Sequence, residues 1–449
     1  MEHLKEKYGI FVAIAMVVGI VIGSGVFFKA DDVLIATGGS LPLAILAWFI
    51  GGMIMVISAY SFSIAAGRVS KSNGIVDYIE AGYGKRAGFY TGYFLAYIYY
   101  PALTGVLAYV AALYTSILFG IEGYGLWGIA LIYLGAIVAL NYVSPILSGK
   151  FQVSATVIKL IPLGLVALVG LVVGLTNGTT VTNFTNTASV ATGGGGLATA
   201  VLATAFAYEG WIVATSINGE LKDAKKTLPK ALVIGSLIVM AVYILYYLGL
   251  AGTLDNQVFA DEGDNAVNIA VSTLFGAFAG TTLTVFVIVS CLGTLNGLML
   301  GTSRSIYSLA FRNQAFRPDY FKEVSPKNNA PKRAILFAVP VMLAWGLIWF
   351  GNFEGWFNGF IDTSELPVAF LYAIYIAVYV WIMRTYKEGN VFKRFIAPLL
   401  STAGSIYIMF AAVQKDMFLI FVMIVAVVLL IGLATERTNS RRLRLQEDA

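Results

Sequence analysis

Apolar residues run through this chain in long blocks, and short polar stretches separate them. The blocks fall at 8–36, 41–66, 87–119, 125–143, 152–175 and 196–217, then at 232–252, 276–311, 334–350, 359–384, 395–413 and 418–435. Each reaches or approaches the roughly 20 residues a helix needs to cross a hydrocarbon core. The pattern predicts an all-α membrane protein with twelve transmembrane helices.

Composition agrees: 59% of residues are hydrophobic and 12% charged. Charge then orients the chain, because lysine and arginine fill alternate loops. Lys5 and Lys7, Arg68 to Arg86, Lys150, Lys222 to Lys230 and the basic stretches 312–333, 384–394 and 437–444 fall on one side. The loops 176–196 and 255–264 are uncharged or acidic, and only Lys29 and Lys415 depart from the rule. The positive-inside bias puts both termini in the cytoplasm of a cell (plasma or inner) membrane, which requires an even number of spans. No small-residue cleavage site follows the first run, so the first helix acts as the insertion signal. The basic tail reads as a solvated anchor near anionic lipid rather than a nucleic-acid patch. His3 and Cys291 are the single histidine and cysteine. From these no disulfide framework, Cys/His metal site or haem ligation can be built, so no metal or cofactor is expected.

The first run carries Gly23-Ser24-Gly25 in its middle. A helix from Ile10 to Ile22 rises only about 20 Å of the roughly 30 Å hydrocarbon thickness, so it stops part-way across. Irregular backbone at that depth is tolerated where it lines a cavity or is buried in protein. A phosphate cradle is excluded, since the glycine spacing is wrong and the motif follows a helix instead of a strand. A packing face stays open, because Gly19 and Gly23 form a Gly-xxx-Gly pair that can seat another helix.

A second interruption is expected in the sixth run, where Glu209 precedes Gly210 at mid-membrane depth. An intramembrane carboxylate is costly and marks a functional site. Interruptions in spans one and six have the spacing of a five-helix unit repeated with inverted topology. That gives a single domain over 1–449, with repeats at 8–175 and 196–386, two additional helices at 395–435 and a tail at 436–449. Between paired half-helices, free N–H groups at the N-terminal ends suit a carboxylate, and free carbonyls at the C-terminal ends suit an ammonium. A zwitterion fits both.

The stretches GIVIGSGVFF, FAYEGW, NGELKDAKKTLPKAL and GTLNGLMLGTSRSIYSLAFRN together resemble the amino acid-polyamine-organocation (APC) superfamily, in its L-amino acid transporter branch. The resemblance covers almost the whole chain. It implies the inverted-repeat (LeuT/APC) fold with discontinuous first and sixth helices, and exchange of amino acids by alternating access. Matched residue by residue, Ser24 and Gly25 would offer N–H groups to the substrate carboxylate, and a side chain at Gly25 would intrude there. Val21, Phe206 and Glu209 would offer carbonyls to the ammonium, with the Phe206 ring closing over the substrate and Gly23 and Ala207 completing the two breaks. Branch members in animals pair with a heavy subunit through a cysteine after the third span. The loop FGIEGYG has none, so no disulfide-linked partner is expected.

Lys159 lies roughly 14 Å along the fifth helix from Lys150, too deep for easy snorkelling, and needs a buried partner or a water-filled vestibule. In the superfamily a lysine here resembles a built-in replacement for a sodium ion, which implies sodium independence. Ser290, Cys291 and Asn296 are candidates for the pocket wall from the eighth span, as are Tyr97, Tyr99 and Tyr100 from the third. Arg304 reads as an anchor at the basic end of the eighth span. Asp362, Thr363 and Glu365 read as gating or pairing residues or as part of the outer interface.

The leading expectation is sodium-independent exchange of neutral, small L-amino acids. No acidic pair or arginine clamp selects a charged side chain. Proton-coupled uptake, with Lys159 or Glu209 titrating, is the alternative. A receptor or channel comes from another class, but no soluble domain or pore-lining charge ring supports it. Without a nucleophile-base arrangement an enzyme is not expected.

Overall fold

The computed structural model describes residues 9–23, 25–69, 73–188, 195–327, 330–387 and 390–447. Helices make up its regular structure, and twelve helical segments are long and apolar enough to cross a membrane, from Ile10–Phe28 to Phe418–Asn439. Several start earlier than hydropathy suggests. The fifth span is Pro145–Asn177 and the seventh Ala224–Ala251, because the chain around Lys150 and around Lys225 and Lys226 remains helical. Ser144 caps the fifth, its hydroxyl accepting from Leu147 N–H at 3.2 Å. The last helix runs on to Glu447, so the tail continues it as far as that residue.

Both expected interruptions are present. The first span is helical over Ile10–Val21, breaks, and resumes as Gly25–Phe28 and Ala30–Ala36. Ile22 N–H donates to Val18 O at 2.9 Å and closes the first half-helix. The sixth is helical over Gly196–Ala207, turns at Tyr208 to Gly210, and continues as a 3-10 helix over Trp211–Glu220. Gly210 has φ +109°, a conformation L side chains rarely adopt, so glycine permits the turn.

Small residues bring the spans around the breaks together, as expected where lipid provides no hydrophobic drive between helices. The fifth and seventh spans cross backbone to backbone: a Cβ on Gly170 would collide with the Gly249 carbonyl, and one on Gly249 with the Val166 carbonyl. Thr156 of the fifth span occupies the space a Cβ on Gly19 would need. Beyond the seventh span, buried Asn183 donates to the carbonyls of Ala251 and Leu254, both at 2.7 Å, and is committed to the fold.

Gly249→Val should therefore lower thermal stability by about 1–3 kcal/mol, the usual cost of overpacking. An unchanged melting curve of the purified variant would mean that the two spans do not meet here.

Candidate functional site

The break in the first span leaves Gly19 O without its usual helical donor, which would be the Gly23 N–H. Lys159 donates to this carbonyl from the fifth span. The lysine can reach it because Thr156, three residues earlier on the same face, packs into the notch at Gly19. Lys159 is 1% exposed, so its ammonium is committed to buried partners.

A second donor serves both breaks. The Tyr243 hydroxyl lies 3.0 Å from Val21 O and 3.3 Å from Ala207 O, one carbonyl from each interrupted span. Its ring is held by Trp48 at 5.8 Å and Tyr208 at 5.1 Å between centroids. One turn on, Tyr247 donates to Ala30 O at 3.2 Å. The seventh span thus supplies side-chain donors to both interrupted spans.

Between the breaks lies a cavity of about 380 Å³. Its wall includes Val21, Gly23 and Gly25 from the first break, Phe206, Ala207 and Glu209 from the sixth, and Tyr99 and Tyr100 from the third span. It extends past Gln152, Asn73 and Arg304, toward the face where basic loops lie. At the other end Phe206 meets Phe28 edge-on, with ring centroids 6.3 Å apart. Glu209 and Arg304 are the charged residues among those lining the cavity. Arg304 is exposed to this space, where the sequence suggested an anchor.

Several expected residues converge here and others do not. Ser24 lies outside the described residues. Gly25 is where the two breaks touch: a Cβ there would stand 2.5 Å from Ala207 Cα, so a side chain would drive the half-helices apart before it reached any ligand. Glu209 is buried, and its Oε1 accepts from Tyr375 of the tenth span at 3.0 Å. The eighth span turns a different face to the cavity from the one expected: Thr294, Gly297, Gly301 and Arg304 line it. Ser290 and Cys291 are fully buried away from it. Asn296 instead joins three spans, accepting at Oδ1 from Asn141 at 2.8 Å and Ser148 at 2.9 Å and donating to Gln152 at 3.0 Å. Tyr97 stacks on Tyr93 at 4.3 Å and does not line the cavity, unlike Tyr99 and Tyr100.

Comparison with known proteins agrees with this architecture. Residues 8–434 match the family described as amino acid permease. The chain is 31% identical over 428 residues to the serine/threonine exchanger SteT of Bacillus subtilis, covering 92% of each chain. It is 25% identical over 413 residues to the human cystine/glutamate transporter, covering 89% of this chain and 78% of that one. With the human large neutral amino acids transporter small subunit 2 it shares 28% identity over 346 residues, covering 74% and 63%. The chain belongs to the amino acid permease family.

Neither Tyr243 nor Tyr375 is singled out by sequence, because tyrosine is common in these spans. Tyr243→Phe removes the single hydroxyl proton that two buried carbonyls share, while keeping the ring. It should destabilise the paired breaks by about 1–3 kcal/mol and weaken amino acid binding roughly five- to 150-fold. Binding to the purified variant measures this, and native affinity would refute the bridging role.

Proposed function

We propose that this permease exchanges neutral L-amino acids by alternating access, without sodium, in a cell membrane with its basic face and both termini in the cytoplasm. The observation that carries this reading is the pairing of the two breaks around one cavity. The N–H groups that open the half-helix at Gly25 have no intrahelical acceptors and suit a substrate carboxylate. Val21 and Ala207, the last residues of Ile10–Val21 and Gly196–Ala207, line the same space, and helix-end carbonyls suit the ammonium. Val21 O already accepts from Tyr243, but a carbonyl has two lone pairs and can take a second donor. Phe206 is the lid on this reading.

A neutral side chain suits the mostly apolar wall, where one acid and one base stand. The serine/threonine exchanger among the relatives supports a small polar or apolar substrate. Lys159 supports sodium independence: its ammonium sits on the Gly19 carbonyl, where a hard cation would want oxygen ligands and no competing positive charge. Cys291, the chain's single cysteine, is fully buried, which supports operation without a disulfide-linked partner subunit.

One observation favours a second reading. Glu209 Oε2 is buried without a hydrogen-bond partner among the described residues, as suits a carboxyl that takes up a proton, so a proton-coupled carrier is the competing mechanism.

Proteoliposomes loaded with unlabelled L-serine should take up labelled L-serine rapidly, and empty ones should not. Replacing sodium by choline should leave the rate unchanged. A steep sodium requirement would remove the role given to Lys159. Accumulation driven by a pH gradient into empty vesicles would replace exchange by proton coupling.

A further inference from the structure

Arg304 stands on the cavity wall toward the basic face, exposed to that space and without an ion-pair partner among the described residues. The acids beside the mouth are already taken. Arg312, two turns further along the eighth span, lies 2.6 Å from Asp77 Oδ1 and 2.5 Å from Glu80 Oε2 through its two terminal nitrogens. Both acids sit on the helix Ile75–Tyr83, whose first residues line the cavity. Glu209, the acid on the cavity wall, is buried and accepts from Tyr375. The guanidinium of Arg304 therefore faces the cavity with its charge unspent.

The other polar groups of the mouth are held in place around it. Asn73 donates its backbone N–H to Asp77 Oδ2 at 2.7 Å and its side-chain amide to Ser308 Oγ at 2.6 Å. Gln152 Oε1 accepts from Asn296 at 3.0 Å, which leaves the Gln152 amide N–H groups for the cavity that this residue lines. Gly297, Gly301 and Arg304 share one face of the eighth span at spacings of four and three residues. The two glycines leave a bare strip along the wall from the guanidinium toward Thr294 and Gly23.

A guanidinium presents a planar fork of donors that matches a carboxylate, and a charge at the mouth of a low-dielectric cleft raises the local concentration of the opposite charge. We infer that Arg304, with the Gln152 amide beside it, forms an entry subsite for the carboxylate of an amino acid arriving from the basic face, distinct from the groups that hold the amino acid at the breaks. The identity of the ligand rests on the exchange reading; the attraction for an anion does not. Occupied first, the subsite delivers the carboxylate along the glycine strip, and it acts on one face of the membrane only.

The test reads the subsite by labelling, without transport. Ser305, which also lines the cavity, is replaced by cysteine in a Cys291→Ser background, and its rates with a sulfonate-bearing and an uncharged maleimide are compared in the purified protein. Arg304→Gln should lower the ratio of the two rates about five-fold, Arg304→Lys should keep most of it, and raising ionic strength from about 0.01 to 0.15 M, which cuts the reach of a charge from about 30 to 8 Å, should erase most of the difference. L-serine should protect the cysteine in the parent, its methyl ester should not, and Arg304→Gln should remove the protection. Exchange in right-side-out and inside-out vesicles completes the test: Arg304→Gln should raise the half-saturating L-serine concentration about five-fold or more at the basic face and leave the opposite face within about two-fold. Melting temperature is followed in parallel, and if Arg304→Gln does not fold, the salt dependence and the contrast between L-serine and its ester in the parent carry the test. An unchanged rate ratio, protection by the ester as strong as by L-serine, or equal effects at both faces would overturn the subsite. Absence of serine exchange by the native protein would instead count against the exchange reading, and the rate ratio would still report the anion site.

Discussion

A helix interrupted in the middle of a membrane leaves carbonyls and N–H groups where no bulk water can satisfy them, and the rest of this fold answers that constraint. Lys159 takes Gly19 O, and Tyr243 takes Val21 O and Ala207 O. These donors come from the fifth and seventh spans, which touch backbone to backbone at Gly170 and Gly249. Small residues at one crossing therefore determine where two long side chains end.

The two kinds of free group are treated differently. Carbonyls at the breaks receive side-chain donors, whereas Gly25, at the start of the next half-helix, lines the cavity and is pressed against Ala207. Gly25 thus serves packing as well as exposure. The Gly-xxx-Gly pair follows the same rule: Gly19 seats Thr156, while Gly23 lines the cavity beside Thr294. Packing and lining looked like rival readings of these glycines and are both met.

Much of this was legible in the sequence for physical reasons. Span length and the placement of lysine and arginine follow from the bilayer, and Gly23-Ser24-Gly25 and Glu209-Gly210 mark breaks because few other sequences interrupt a helix at that depth. The depth of Lys159 called for a buried partner. Helical phase was harder. Ser290, Cys291 and Asn296 were the polar candidates of the eighth span, but Thr294, Gly297, Gly301 and Arg304 face the cavity. Their spacing of three and four residues was a usable signal. Tyr243 carried none, since its role depends on how the seventh span is rotated against two others. Lys29 and Lys415 stood out only as exceptions to the charge rule, and only the fold brings both to Glu365.

If both ends of an amino acid are read by the two breaks, a ligand that lacks either charge must bind less well. Displacement of labelled L-serine from the purified protein by L-serine, its methyl ester, its N-acetyl derivative and ethanolamine tests this directly. L-serine should displace the label, and each of the other three should show at least about a ten-fold loss, since each lacks one charge the breaks would hold. Ethanolamine or the methyl ester competing as well as L-serine would contradict it, because the carboxylate would then have no place at the opening of the Gly25 helix.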